Sequence, residues 1–365
     1  MKTSDFDYQL PERNIAQAPC PIRDECKMLV LNRADGIIED KIFKDILDYL
    51  EPHDLLIANE TRVLPARLLG QKRGTNGMAE IFLLRQKIEE APTTSTCALW
   101  EVLVRPGKRL KPGAVVDFFA TPNNACANQE ALMSAEILDW SDSGERGGRV
   151  ARISTTLPSL DEALHIIGNT PLPPYIKDYQ GDKELYQTVY SKEEKSAAAP
   201  TAGLHFTPQL ISALKAKGVS WACVDLQVGL DTFRIVEEDD PSKHRIHTER
   251  YSVSEEVVSQ VEACKQRGGR VIAVGTTSIR SLESAWDENS QSLRARNLES
   301  TQLFILPGYT FKVVDALITN FHVPKSTLMM LVSAFASREM IMDAYSHAIS
   351  HDYRMLSFGD AMFIH

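Results

Sequence analysis

Two histidines stand where a proton could be moved. His205 closes a run of small residues from Ala197 to Thr207 (AAAPTAGLHFT). An imidazole titrates near pH 6.5, which suits general acid–base work. Thr207-Pro208 reads as an N-cap followed by proline at the first helical position. That puts His205, with Thr201, Gly203 and Phe206, at the mouth of a helix, where backbone N–H groups favour anions. The same small residues would also let two elements pack closely, and composition does not separate the two readings. His322 lies in a second polar cluster, Thr319 to Thr327 (TNFHVPKST), with Asn320. This cluster falls between a strand-like run and a buried helix, a usual place for site residues.

Two more constellations could bind. Arg270 to Arg280 (RVIAVGTTSIR) reads as a strand that turns at Gly275-Thr276-Thr277-Ser278 into a helix. Ligands of open α/β sheets bind at the carboxyl ends of strands. The two threonine hydroxyls and nearby N–H groups could hold a carboxylate or a ribose, with Arg280 one turn on. The segment lacks the G-K-[ST] ending of a P-loop. The run His244 to Glu249 (HRIHTE) offers His244, His247 and Glu249, but H-x-x-H-x-E matches no zinc-site spacing. For His247 and Glu249, hydrogen bonding within a site is expected, and no metal.

The elements that must position these groups fall into two patterns. A length of 365 residues suggests two or three domains. Before Arg62 and after Thr155 the chain alternates strand-like and helix-like runs. Helices are expected around Ile42–Leu50, Leu160–Ile167, Pro208–Lys217, Ser254–Arg267, Thr277–Trp286, Leu328–Ala336 and Glu339–Ile349. Strands are expected at Lys27–Leu31, Leu55–Ala58, Val219–Val228, Arg270–Val274 and Leu303–Leu306. Between Arg62 and Ile153 about six strand-like runs follow one another with no convincing helix, which suggests a small barrel or sandwich. The expected architecture is α/β, a mixed α/β domain (1–61 and 156–365) interrupted by an inserted β domain (62–155).

Charge and composition narrow the function. The net charge of −9 gives no global footprint for nucleic acid. Positive charge gathers locally in the inserted domain, at Arg62, Arg67, Lys72, Arg73, Arg105, Lys108, Arg109 and Lys111, and could meet phosphates there. The six cysteines make no C-x-x-C pair and read as reduced thiols. The polar, acidic stretch Met1 to Arg13 predicts no signal peptide, and no run of ~18 apolar residues predicts a membrane span. A cytoplasmic monomer is expected. Neither G-x-G-x-x-G nor a nucleophile elbow occurs, so a Rossmann-type methyltransferase or dehydrogenase is not supported.

A family resemblance runs nearly end to end. It is carried by Asp5-Phe6-Asp7-Tyr8, Asn59-Glu60-Thr61-Arg62-Val63, Pro65-Ala66-Arg67, Pro171 to Ile176 and Tyr186 to Tyr190. Ala198 to Thr207, Val274 to Arg280, Pro307-Gly308-Tyr309, Asp315-Ala316-Leu317, Thr319 to His322, Ser326-Thr327-Leu328 and Gly359 to Met362 complete it. In these segments the chain resembles the S-adenosylmethionine:tRNA ribosyltransferase-isomerases of queuosine biosynthesis. The resemblance implies a mixed α/β domain with an inserted six-stranded β-barrel. It implies transfer of the ribosyl part of S-adenosylmethionine, a co-substrate, to 7-aminomethyl-7-deazaguanine at the wobble position of tRNA. The products would be epoxyqueuosine-tRNA, adenine and methionine.

That chemistry gives the constellations expected roles. A base near neutral pKa must take a proton beside the sulfonium, and His205 and then His322 are the candidates. Thr276, Thr277 and Arg280 would hold polar groups of the donor, and Tyr175 or Phe206 would stack on adenine. The barrel's basic residues would bind the anticodon stem-loop. Two positions depart from the family's L-H-V-G-x-G-T-F: Gln227 replaces a histidine and Asp231 a glycine. A catalytically impaired tRNA-binding paralogue and another S-adenosylmethionine-dependent RNA-modifying enzyme are the competing readings.

Overall fold

The computed structural model describes residues 1–87, 93–120, 130–141, 147–177, 179–229 and 234–365. Asp231, Cys126 and most of the loops 120–129 and 141–148 lie outside the described residues. Two compact units result: Met1–Arg62 together with Leu172–His365, and Val63–Pro171.

The first unit opens with β1 (Lys27–Leu31), β2 (Ile38–Ile42), a short α1 (Ile46–Tyr49) and β3 (Leu55–Asn59). The second unit contains β4 (Arg67–Lys72), β5 (Gly77–Gln86), β6 (Cys97–Arg105), β7 (Val115–Phe118), β8 (Met133–Trp140), β9 (Gly148–Thr155) and α2 (Leu160–Ile167). The first unit then resumes with α3 (Pro208–Lys217), β10 (Ser220–Leu226), β11 (Glu249–Val253), α4 (Glu255–Gln266), β12 (Val271–Val274) and α5 (Thr276–Ser284). It ends with β13 (Arg296–Thr301), β14 (Ala316–Asn320), α6 (Thr327–Phe335), α7 (Arg338–Ser350) and β15 (Ala361–Ile364).

The first unit is built on one nine-stranded sheet in the order β13-β11-β10-β3-β12-β14-β15-β1-β2. Its centre, β10-β3-β12-β14, is parallel. A parallel sheet is covered on both faces, so its strands read as unbroken apolar runs. β3 (LLIAN), β12 (VIAV) and β14 (ALITN) are buried at every position. Side chains alternate between the faces. Leu55 and Ile57 pack with Val257, Leu282, Met329 and Tyr345 on one side, under α4 to α7. Leu56 and Ala58 pack with Ile46, Phe206, Leu210 and Leu214 on the other, under α1 and α3.

Local signals explain the helix ends. The Thr207 hydroxyl accepts from Leu210 N at 3.1 Å, Pro208 opens α3, and Gly218 closes it at φ 96°. The run expected as a helix over Ile42–Leu50 is instead a 3-10 turn, Phe43–Asp45, and a single α turn. Leu303–Leu306 is not a strand. The pairing falls on Arg296–Thr301, whose polar side chains are mostly exposed on the sheet's edge. The second unit is a closed six-stranded barrel in the order β9-β6-β5-β4-β7-β8.

Candidate active site

The carboxyl ends of β12 and β14 lie side by side and open on a cleft. A position beyond the ends of parallel strands is where such sheets bind ligands. The cleft is lined by Tyr175, Thr201, Thr276, Thr277, Asn320 and His322, among others. Gly275 makes the turn from β12 into α5. Its φ of 88° is costly for a residue with a Cβ, although the space would admit one, the nearest atom being Ala202 Cβ at 3.5 Å. No side chain caps α5, so its first-turn N–H groups face the cleft end of the helix without that partner. The Thr277 hydroxyl is buried and unpartnered among the described residues.

His322 is the one imidazole among the lining residues. Its Nε2 is 2.9 Å from Thr319 Oγ1, and its backbone is clamped: the N–H donates to Tyr345 Oη at 2.8 Å and the carbonyl accepts from Tyr8 Oη at 2.6 Å. Burial lowers its pKa to about 3, so the ring is neutral at physiological pH.

His205 does not line this cleft. It is 5% exposed, in a 3-10 turn over Thr201–His205, and its ring packs against Phe43 at 5.0 Å. Its Nε2 accepts from Asn320 Nδ2 at 3.1 Å, and its Nδ1 is 3.2 Å from Cys26 Sγ. Asn320 in turn accepts from the Thr201 hydroxyl at 2.8 Å, and both of these residues do line the cleft. Burial first, then Arg354 and Arg23, lowers the His205 pKa to about 3.

Two neighbours expected to touch the ligand serve the core. Phe206 is fully buried between Phe43 and Trp221 and is not part of the cleft wall. Gly203 is required by packing: a Cβ there would lie 1.9 Å from Tyr190 Oη.

Arg280 lies one turn along α5, 5% exposed. Its Nη1 donates to Glu249, while Nε and Nη2 are buried and have no partner among the described residues. Glu249 also accepts from Gly229 N at 3.2 Å and lies 3.0 Å from His247 Nε2. Burial pulls its carboxyl up, but Arg280 and His247 hold it below the usual carboxylate value. His247 and Arg280 line a separate cavity, which shares Leu328 with the cleft. His244 points elsewhere, pairing with Glu238 at 2.8 Å. Gln227 is half-buried, and it is the next residue, Val228, that lines the cleft.

The basic residues divide into paired and open ones. Arg62 is held by Glu184, Glu194 and Ser191, and Arg67 by Glu80 at 2.9 Å. Lys72, Arg73, Arg109 and Lys111 ring a depression on the barrel. Arg73 is committed to Asp117, and Lys72 Nζ donates to Arg109 O at 2.9 Å. Arg105, Lys108 and Lys111 are exposed. A residue that sequence reasoning passed over fixes this region: Arg149, 3% exposed, donates to the carbonyls of Gly107, Leu110 and Gly148 and stacks 3.7 Å over Trp140. Its only signal in the sequence is a charge inside an alternating strand.

A twisted α/β sheet with a donor-rich cleft at its carboxyl edge, interrupted by a barrel with a basic depression, defines an enzyme scaffold of two units. The chain belongs to the queuosine biosynthesis protein family, whose profile matches residues 3–364. It is 46% identical over 364 residues to the S-adenosylmethionine:tRNA ribosyltransferase-isomerase of Desulforamulus reducens, covering all of both chains. It is similar as well to the crystal structure of S-adenosylmethionine tRNA ribosyltransferase from Thermotoga maritima, at 35% identity and a TM-score of 0.52. That match covers 99% of this chain and all of the other. No helix among the described residues is long and apolar enough to cross a membrane.

Proposed function

We propose that this chain transfers and isomerises the ribosyl group of S-adenosylmethionine onto 7-aminomethyl-7-deazaguanine at the wobble position of tRNA. The products are epoxyqueuosine-tRNA, adenine and methionine. The observation that carries the reading is the cleft at the ends of β12 and β14, with His322 the one imidazole among its lining residues. In this reading no metal takes part, and the chain works as a monomer in the cytoplasm.

We put His322 before His205 as the base, because His322 lines the cleft and His205 does not. The sulfonium acidifies the 5′-carbon protons of the donor, and in this reading His322 takes one. The tautomer taken is the one in which Nε2 keeps its proton beside Thr319 Oγ1 and Nδ1 is the basic nitrogen. The electron pair left on C5′ expels the ring oxygen from C4′, and the alkoxide so formed expels adenine from C1′. The imidazolium then returns its proton to the departing purine.

His205 acts through Asn320. It holds the amide so that its oxygen meets Thr201 and its face meets the cleft. Thr276, Thr277 and the N-terminus of α5 hold donor polar groups, with Tyr175 against the adenine. Arg280, in the cavity that adjoins the cleft at Leu328, has two nitrogens with no partner among the described residues and would offer them to an acceptor such as the methionine carboxylate, because a buried guanidinium left unsatisfied is costly. Glu249 and His247 hold Arg280 in place. On the barrel, Lys72, Arg105, Lys108 and Lys111 meet the anticodon stem-loop backbone, whereas Arg62 and Arg67 already have carboxylate partners.

The deciding experiment is incubation with S-adenosylmethionine and tRNA carrying the aminomethyl-deazaguanine, followed by nucleoside mass spectrometry. Epoxyqueuosine with free adenine and methionine is expected. S-adenosylhomocysteine would instead reveal a methyl transfer. Tight tRNA binding without turnover would reveal an inactive paralogue.

A further inference from the structure

A cluster outside the lining of the cleft has the form of a cation site. His347 and His351 are one helical turn apart at the end of α7, so their side chains share a face. Their rings stack at 3.9 Å and 18°. Across from them is Asp40, on β2, the edge strand of the sheet. His347 Nε2 lies 3.1 and 3.0 Å from the two Asp40 oxygens. One ligand atom from each of the three residues falls within 4.8 Å of the others.

The surroundings set these atoms up as ligands. His351 Nδ1 is 2.8 Å from the His347 carbonyl oxygen. A carbonyl can only accept, so Nδ1 carries the proton and Nε2 keeps its lone pair. Metal-ligating histidines are oriented this way, through a hydrogen bond from the second ring nitrogen. Asp40 is oriented too, by the hydroxyl of the buried Tyr353. A simple His347–Asp40 ion pair would need neither His351 nor its fixed tautomer. Lys27 is turned onto the His351 backbone carbonyl at 2.8 Å rather than onto Asp40.

We propose that Asp40, His347 and His351 bind a divalent cation of the zinc class, bracing the end of α7 against the edge strand β2. Two imidazoles and one carboxylate suit zinc, cobalt or nickel, and not the all-oxygen shells of magnesium or calcium. Three protein ligands leave the remaining position to water. On binding, His347 carries its proton on Nδ1 and offers Nε2 to the metal.

The test is calorimetric titration of the full chain with Zn²⁺, with Co²⁺ as a spectroscopic probe. One site per chain with micromolar or tighter affinity is expected, together with a visible Co²⁺ spectrum. His351→Ala and His347→Ala should each weaken binding tenfold or more. Tyr353→Phe, which keeps all three ligands, should weaken it by about 10–100-fold. Adenine release without added metal should match wild type in the His351→Ala variant. Wild-type binding no tighter than that of the His347→Ala/His351→Ala double variant would overturn the proposal. So would affinity unchanged in His351→Ala, which would leave only the ion pair.

Discussion

At the scale of single residues, burial decides what each imidazole can do. His322→Asn should lower adenine release by about 10²–10⁴-fold, the usual contribution of general acid–base catalysis. Donor affinity, read by calorimetry, should change little. His205→Ala should instead cost stability, about 1–3 kcal/mol in a urea melt, because Asn320 and Cys26 lose a buried partner. Its effect on turnover should be the smaller of the two. Both rings titrate near 3 in the fold against 6.5 outside it. A depressed folded pKa means that the unfolded chain binds more protons between those values. The stabilisation is therefore whole above pH 6.5 and is lost as pH falls toward 3, which acid-unfolding curves of wild type and His205→Ala would separate. Arg280→Lys keeps a charge beside Glu249 but loses the fork, so KM for S-adenosylmethionine should rise about tenfold with little change in kcat. The polar words around His205, Arg280 and His322 were legible in the sequence. Which of them face the cleft was not, because that depends on neighbours 26, 190 and 345 brought in from elsewhere in the chain.

At the scale of elements, the strand–turn–helix from β12 to α5 was readable from Gly275-Thr276-Thr277, and α3 from its cap, its proline and Gly218. The small residues around Gly203 left two readings open, a site turn or close packing of two elements, and at Gly203 the room is taken by Tyr190. Gly203→Ala should destabilise the fold by about 1–3 kcal/mol by overpacking, with partial rescue by Tyr190→Phe. Gly275→Ala meets no such clash and should cost about 1–3 kcal/mol through its backbone alone, since φ 88° with ψ 156° lies in a region open essentially only to glycine. Thermal melts of the three variants distinguish the two causes. β13 and β15 escaped sequence reading for opposite reasons. β13 is an exposed, polar edge. β15 is only four residues long, and its burial comes from sitting between β14 and β1.

At the scale of the whole molecule, the proposed function requires that a chain of net charge −9 meet RNA through a local field rather than a global one. Lys108→Glu with Lys111→Glu should weaken tRNA binding and flatten its log–log salt dependence by about 0.7–0.9 per lost phosphate contact. Donor binding should be unaffected. Unchanged tRNA affinity in filter binding would remove the barrel from the interface. The departures from the chain's linear order carry a further consequence. β3 ends at Asn59, yet its sheet neighbours begin at Ser220 and Val271, beyond the entire barrel. A ribosome adds about 5–20 residues per second. The central strand therefore waits roughly ten seconds or more for its first neighbour, an apolar ribbon with both edges bare. During that interval the nascent chain is exposed to aggregation, and chaperone demand should track the length of the insertion rather than the size of the finished protein.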